Sequence, residues 1–64
     1  MYKIIESVDI PIDVMNKVVE SNVDGFIKEY PYAIVDQENE IKIFSYTYDY
    51  AQYMINTRYI ENNS

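Results

Sequence analysis

The chain has 64 residues, of which 11 are Asp or Glu and 5 are Lys or Arg, so its formal net charge is −6 at pH 7. It contains no Cys and no His, which excludes a thiol nucleophile, a disulfide, an imidazole base and a zinc-finger ligand set. The acidic balance argues against direct binding to duplex DNA or to an anionic membrane, and no apolar run approaches the roughly 18 residues of a membrane span. We expect one small cytoplasmic domain, residues 1–64, without a signal peptide.

The first predicted element is a β-strand over residues 2–9, which are rich in β-branched side chains. Loose alternation places Tyr2, Ile4 and Val8 on one side of this strand. Asp9 is then expected to cap a helix whose first turn contains Pro11. Proline is tolerated there because the N–H that it lacks would have no hydrogen-bond partner at the start of a helix.

The clearest pattern is a period of 3.6 residues over 12–30, which predicts one amphipathic helix of about five turns that ends before Pro31. The dipeptide Asp24-Gly25 is also a hairpin signal, so two strands are the competing interpretation. The adjacent apolar pairs in this segment break strict alternation and favour the helix. Two acid–base pairs four residues apart would support it, Asp13–Lys17 and Asp24–Lys28.

The second half of the chain predicts a hairpin followed by a helix. Residues 32–36 form a short β-type run, 37–39 a polar turn and 40–48 a long alternating strand. Ile41 and Ile43 would face one side of this strand, and Phe44, Tyr46 and Tyr48 the other. Asp49 with Gln52 matches a capping box, which predicts a second helix over about residues 50–60.

The order β-α-β-β-α predicts a small two-layer α+β domain, with a three-stranded sheet and helices on one face. A right-handed crossover would place the first helix over the sheet. The other face would then be open, although the long strand carries apolar or aromatic side chains on both sides. Because such a face usually marks an interface, we expect a protein partner or a homodimer there.

Few residues suit catalysis or metal binding. The carboxylates of Asp36, Glu38 and Glu40 offer three oxygens for calcium, but the segment lacks the Asp-x-Asp-x-Asp-Gly pattern of an EF-hand. Ser and Thr hydroxyls have no His to activate them, and the single glycine excludes a glycine-rich phosphate loop. We therefore expect no metal, no cofactor and no enzymatic activity.

Seven of the eight tyrosines lie between residues 30 and 59. One interpretation is core and rim packing in a protein that has no Leu or Trp. The other is that several tyrosines anchor an interface, since Tyr buries a large area at low entropic cost. Stacking of single-stranded nucleic acid would need a positive groove, and only Lys42 and Arg58 are nearby in the sequence.

The acidity either serves solubility alone or mimics nucleic acid. If residues 36–40 were extended, alternate carboxylates would lie roughly 6.6 Å apart on one side, close to the phosphate interval along a DNA strand. This small, acidic composition without Cys or His resembles that of phage-encoded inhibitors of host defence, including anti-restriction and anti-CRISPR proteins. The resemblance implies an inhibitor that occupies the nucleic-acid-binding site of a partner.

We therefore expect a small acidic, non-enzymatic protein-binding module, most concretely such an inhibitor. The alternative is a small structural homo-oligomer that uses its aromatic sheet face for self-association. The predicted partner contacts are three acids for charge, Asp36, Glu38 and Glu40, and four aromatic anchors, Phe44, Tyr46, Tyr48 and Tyr53.

Overall fold

The structure, a computed structural model, describes the backbone of residues 1–62 and the side chains of residues 1–60. The last two residues of the predicted domain lie outside this part of the chain. The described residues form an α+β domain with a Cα radius of gyration of 11.4 Å. In chain order its elements are β1 (Lys3–Glu6), a 3-10 turn (Ser7–Asp9), α1 (Ile12–Val18), α2 (Val23–Glu29), β2 (Tyr32–Val35), β3 (Ile41–Ser45), α3 (Tyr48–Asn56) and α4 (Tyr59–Asn62).

The strands form one antiparallel sheet in the order β1-β2-β3, with β2 in the centre. The predicted α+β class, the three strands of the described chain and the hairpin of β2 with β3 are confirmed. The predicted right-handed crossover is wrong, because that connection joins parallel strands and β1 runs antiparallel to β2.

Helices cover both faces of this sheet. Ala33 and Ile34 are neighbours in β2 and point to opposite faces, yet both are 0% exposed. Ile34 packs with Ala51 and Met54 of α3, whereas Ala33 packs with Met15 of α1. The domain therefore has three layers, with the sheet between α1–α2 and α3–α4, instead of helices on one face only. The open sheet face expected to carry a homodimer is covered.

The helix predicted over 12–30 is divided into α1 and α2. Val19 is extended, with φ −117° and ψ 116°, and Asn22 is left-handed, with φ 53° and ψ 55°. The Oδ1 atom of Asn22 accepts a hydrogen bond from the backbone N–H of Gly25 at 3.2 Å, which starts α2. The competing hairpin is not formed. The apolar stripe nevertheless continues through the break, because Val19, Val23 and Phe26 pack in one cluster.

Neither of the two predicted helix caps is formed. Asp9 lies in the 3-10 turn that ends β1 early, and α1 begins after Pro11 without a side-chain cap. Thr47 caps α3, since its Oγ1 accepts from the N–H of Tyr50 at 3.1 Å. The predicted capping box of Asp49 is therefore not formed, and α3 begins at Tyr48 instead of at about residue 50.

A β-bulge at Lys42 changes the faces of β3. Ile34 pairs with Ile43, but Val35 pairs with Ile41, so Lys42 is the extra residue. Ile41 consequently packs in the same cluster as Ala33, on the face opposite to Ile43, whereas strict alternation predicted one face for both isoleucines.

None of the helices built from the described residues has the length and apolar character needed to cross a membrane.

Candidate functional site

Residues 36–40, which we call the acidic hairpin, join β2 to β3. The Oδ1 atom of Asp36 accepts hydrogen bonds from the backbone N–H groups of Glu38 and Glu40, both at 2.9 Å. The Nζ atom of Lys42 lies 3.6 Å from Asp36 Oδ2 and 3.9 Å from Glu40 Oε1. The N–H of Glu40 is the main cause that lowers the pKa of Asp36, and the N–H of Glu38 and the charge of Lys42 lower it further. Asp36 therefore holds the turn together.

The acidic hairpin is a tight turn and not an extended ladder. The carboxylate oxygens of Asp36, Glu38 and Glu40 come within 4.8 Å of one another. Asn39 is left-handed, with φ 64°, which reverses the chain between the two glutamates. The predicted spacing of about 6.6 Å along one side is therefore wrong. Among the described residues, these three carboxylates form a group that could hold a cation. The ammonium of Lys42, however, already lies beside two of them, Asp36 and Glu40.

Six tyrosines form three ring pairs near the opposite end of the sheet, and the pairs lie on both sides of it: Tyr30 also packs on Phe26 of α2, whereas Tyr32 alternates with Ile34 toward α3. The rings of Tyr30 and Tyr46 lie 4.7 Å apart with their hydroxyl oxygens 3.3 Å apart, and Tyr32 meets Tyr48 edge-on at 5.9 Å. A third pair stacks on the first turns of α3 at 6.1 Å. We call these six residues the tyrosine surface: Tyr30, Tyr32, Tyr46, Tyr48, Tyr50 and Tyr53.

Four members of the tyrosine surface expose about half of their area. The exposed fractions are 55% for Tyr46, 52% for Tyr48, 49% for Tyr50 and 60% for Tyr53. Each of these four rings contacts another tyrosine ring. Three of the four predicted aromatic anchors are thus accessible.

The fourth predicted anchor, Phe44, is not accessible in the same way. It lies in the cluster beneath α2, where its ring meets Phe26 edge-on with ring centroids 4.8 Å apart. Phe44 points to the α1–α2 face, and these two helices cover that face. We therefore assign it to the core.

Two buried serines position the tyrosine surface, and the sequence pattern did not identify either. Ser7 is 0% exposed; its hydroxyl donates to the carbonyl of Tyr30 at 2.6 Å, and its N–H donates to the carbonyl of Pro31 at 2.8 Å. Ser45 is 1% exposed and its hydroxyl donates to the carbonyl of Thr47 at 2.8 Å. The available signal for both was a serine within a predicted apolar strand. A buried hydroxyl needs a hydrogen-bond partner, so such a serine indicates a contact that fixes the neighbouring backbone.

Acidic residues flank the tyrosine surface as well. Glu6 pairs with Tyr32 across β1 and β2, and Asp49 lies between Tyr48 and Tyr50 in the first turn of α3. The hydrogen bond with Tyr46 is the main cause that raises the pKa of Tyr30, and the negative charge of Glu29 raises it further. This end of the molecule is therefore both aromatic and negatively charged.

The predicted site residues do not converge on one place. The tyrosines surround the start of β2 and the acidic hairpin follows its end, so roughly 10 Å of strand separates the two groups. Every buried side-chain nitrogen or oxygen of the described residues has a hydrogen-bond partner, so no buried polar group is left to recognise a ligand. No protein-family model matches the chain, and comparison with curated proteins and with solved structures finds no match either.

Proposed function

We propose that the protein is a small acidic, non-enzymatic module that binds another protein through its tyrosine surface. Most concretely, it occupies the nucleic-acid-binding site of a cytoplasmic enzyme and inhibits it, in the manner of phage-encoded anti-restriction and anti-CRISPR proteins. The observation that carries the proposal is the exposure of four tyrosines, Tyr46, Tyr48, Tyr50 and Tyr53, each of which is about half exposed.

The arrangement of the rings suits binding energetically. Tyrosine presents a large, rigid contact area with only two side-chain torsions to fix, and it is enriched in protein interfaces. Here the rings are already paired, and the backbone that carries Tyr30 and Tyr46 is fixed by the hydrogen bonds of Ser7 and Ser45. Contacts of this kind reduce the conformational entropy that association would cost.

The negative charge of the protein favours a partner with a positively charged binding surface. The protein carries −6 overall; the charge of Glu29 acts on Tyr30, Glu6 pairs with Tyr32 in the sheet, and Asp49 lies in the first turn of α3 between two tyrosines. Arginine guanidinium groups bind both carboxylates and the faces of tyrosine rings. Nucleic-acid-binding sites are surfaces rich in Arg and Lys, so they offer the complementary chemistry.

The acidic hairpin has a secondary part in this proposal. Asp36 is committed to its own turn, whereas Glu38 and Glu40 are exposed. Exposed charges outside the contact area change the association rate and its salt dependence more than the stability of the complex. We assign the two glutamates to attraction of the partner and the tyrosines to contact.

Self-association through the same rings is the second candidate, because exposed aromatic area favours it. In a two-fold dimer, however, the acids beside the tyrosines of one copy would face those of the other. Sheet extension is also disfavoured, since the edge strand β1 has only 4 residues and β3 has a bulge at Lys42. Sedimentation in buffer of low ionic strength should show a monomer; a tight dimer would favour self-association instead.

Affinity capture from a bacterial lysate with graded salt elution tests the proposal. The wild type should retain a nucleic-acid-binding protein at ~0.05 M salt and release it at ~0.5 M. The double variant Tyr48→Ser/Tyr53→Ser should lose this protein. The matched control Val18→Ser, which shortens a 49% exposed apolar side chain on α1, should retain it.

Two results of the capture experiment would contradict the proposal. One is equal retention of the same protein by the wild type and the tyrosine double variant. The other is a retained protein that still binds its nucleic acid when the wild-type chain saturates it.

A further inference from the structure

A groove of about 370 Å³ opens between the 3-10 turn, the start of α1 and the acidic hairpin. Its lining is mainly apolar: Ile10 and Val35 are buried, and Ile5 and Ile41 are partly buried. The exposed members of the lining are Asp9, Pro11, Val14 and Asn39, which form its rim. The groove lies at the hairpin end of the α1–α2 face and shares no lining residue with the tyrosine surface.

Apolar side chains are also exposed in the segment that carries the rim of the groove, and one of them, Val14, lines it. Val8 is 67% exposed, Ile12 is 62% exposed and Val14 is 36% exposed, and all three lie within the 3-10 turn and the first turn of α1. The groove therefore combines an apolar floor with an exposed valine, Val14, on its rim.

Negative charge lies on two sides of the groove. Asp9 is part of the rim from the 3-10 turn, and Asn39 on the hairpin side lies between Glu38 and Glu40. Lys42 is within 4.0 Å of Glu40 and Asp36, and Lys3 pairs with the lining residue Val35 in the sheet, but within the described residues neither Asp9 nor Glu38 has a cation within 4.0 Å. A ligand that is apolar in the middle and positive at both ends matches this surface.

We propose that the groove binds a peptide segment of a partner protein in which one or two apolar side chains are flanked by Lys or Arg. The apolar side chains enter the groove, and the flanking cations lie against Asp9 and Glu38. A second copy of this chain fits less well, because the exposed residues around its own groove are acidic. The inference goes beyond the function proposed above and holds even if the tyrosine surface binds nothing.

The test uses three synthetic hexapeptides titrated into the ¹⁵N-labelled full chain and followed by amide chemical shifts. The first is acetyl-Lys-Arg-Phe-Ile-Arg-Lys-amide; in the second Ser replaces Phe and Ile, and in the third Gln replaces each Lys and Arg. The first peptide should shift the amides of Ile5, Val14, Asn39 and Ile41 in a saturable way. Its affinity should exceed that of each control peptide at least tenfold.

Matched variants locate the binding. Val14→Lys puts a positive charge on the rim and should weaken the first peptide about tenfold, which corresponds to about 1.4 kcal/mol. Val18→Lys adds the same charge one turn further along α1, outside the lining, and should change the affinity less than about twofold. Asp9→Asn, an exposed substitution, should weaken the peptide severalfold and serves as a second probe if Val14→Lys perturbs α1.

Four results would overturn the inference. The first is equal affinity for the Ser-substituted peptide, which would mean charge attraction only. The second is equal affinity for the Gln-substituted peptide, which would mean a general apolar site. The third is a set of shifts confined to the tyrosine surface, and the fourth is a shift of the groove amides on dilution without peptide, which would mean that a second copy occupies the groove.

Discussion

Two buried hydroxyl groups connect the core of this protein to its proposed contact surface. Ser7 and Ser45 each donate to a backbone carbonyl in a segment that carries tyrosines. Backbone carbonyls at the ends of strands have no ladder partner there, so a buried side-chain donor satisfies them. At this scale, stability and the arrangement of the tyrosine surface depend on the same hydrogen bonds.

Replacing Ser7 by Ala should lower the free energy of unfolding by about 1–3 kcal/mol, because the carbonyl of Tyr30 loses its hydroxyl donor in a buried place. Urea denaturation followed by circular dichroism measures this change. Ser21→Ala removes an exposed hydroxyl between α1 and α2 and should have almost no effect. Equal effects of the two substitutions would show that the hydrogen bond of Ser7 is not important.

The pH dependence of stability should report Asp36. Its pKa in the folded protein lies below the ordinary value of 3.8, mainly because the N–H of Glu40 donates to the carboxylate. A lowered folded pKa stabilises the protein fully above the unfolded value, and this stabilisation disappears as the pH falls through the folded pKa. The difference in Tm between the wild type and Asp36→Asn should therefore be largest at neutral pH and shrink below about pH 3.8.

Thermal unfolding from pH 7 down to about pH 2.5 measures that difference. Asp13→Asn is the matched control, since Asp13 is an exposed acid on α1 and has no described cation within 4.0 Å. A difference for Asp36→Asn that stays constant over the whole range would contradict the assigned role of its charge.

At the scale of elements, the break between α1 and α2 shows how a local cap overrides a helical pattern. Asn22 adopts a left-handed backbone, which Asn tolerates better than most residues, and its side chain then caps α2 through Gly25. A Cβ atom at position 25 would collide with the side chain of Asn22. Gly25 is therefore tied to this cap and is not merely a weak helix residue.

A double-mutant cycle tests the coupling of these two residues. Gly25→Ala alone should change stability little, because the gain in helix propensity is offset by the loss of the Asn22 cap. In the background of Asn22→Gly, which keeps the left-handed backbone accessible, the same substitution should stabilise the protein by about 0.5–1 kcal/mol. Chemical denaturation of the four proteins measures both steps, and identical effects in the two backgrounds would contradict the coupling.

The elements were predictable where a pattern is local. The short strand predicted over residues 32–36 and the turn after it follow from short-range signals, and the structure has the strand at Tyr32–Val35 and a turn after it. The break at Asn22 was not predictable from periodicity, because Val19, Val23 and Phe26 keep an apolar stripe through it. The bulge at Lys42 could not be predicted for a similar reason. With or without the bulge, Ile41 packs against one covered face of the sheet, so its apolar character does not distinguish the two registers.

At the scale of the whole molecule, the domain has two chemically distinct ends. One end carries the tyrosine surface, and the other carries the acidic hairpin and the groove beside it. The exposure of Tyr46, Tyr48 and Tyr53 could be anticipated from their number and position. The separation of these tyrosines from Asp36, Glu38 and Glu40 could not be anticipated. It depends on how β2 runs through the sheet, which the amino-acid composition does not specify. The burial of Phe44 depended likewise on the packing of α2.

The proposed inhibition requires that the tyrosine surface occupy a nucleic-acid-binding site. The most direct measurement is the fluorescence anisotropy of a labelled oligonucleotide bound to the captured partner, titrated with this protein at two salt concentrations. The wild type should displace the oligonucleotide completely, more weakly at higher salt, whereas Tyr48→Ser/Tyr53→Ser should need at least tenfold more protein. Unchanged anisotropy at saturating wild-type protein, or equal displacement by the double variant, would contradict the claim.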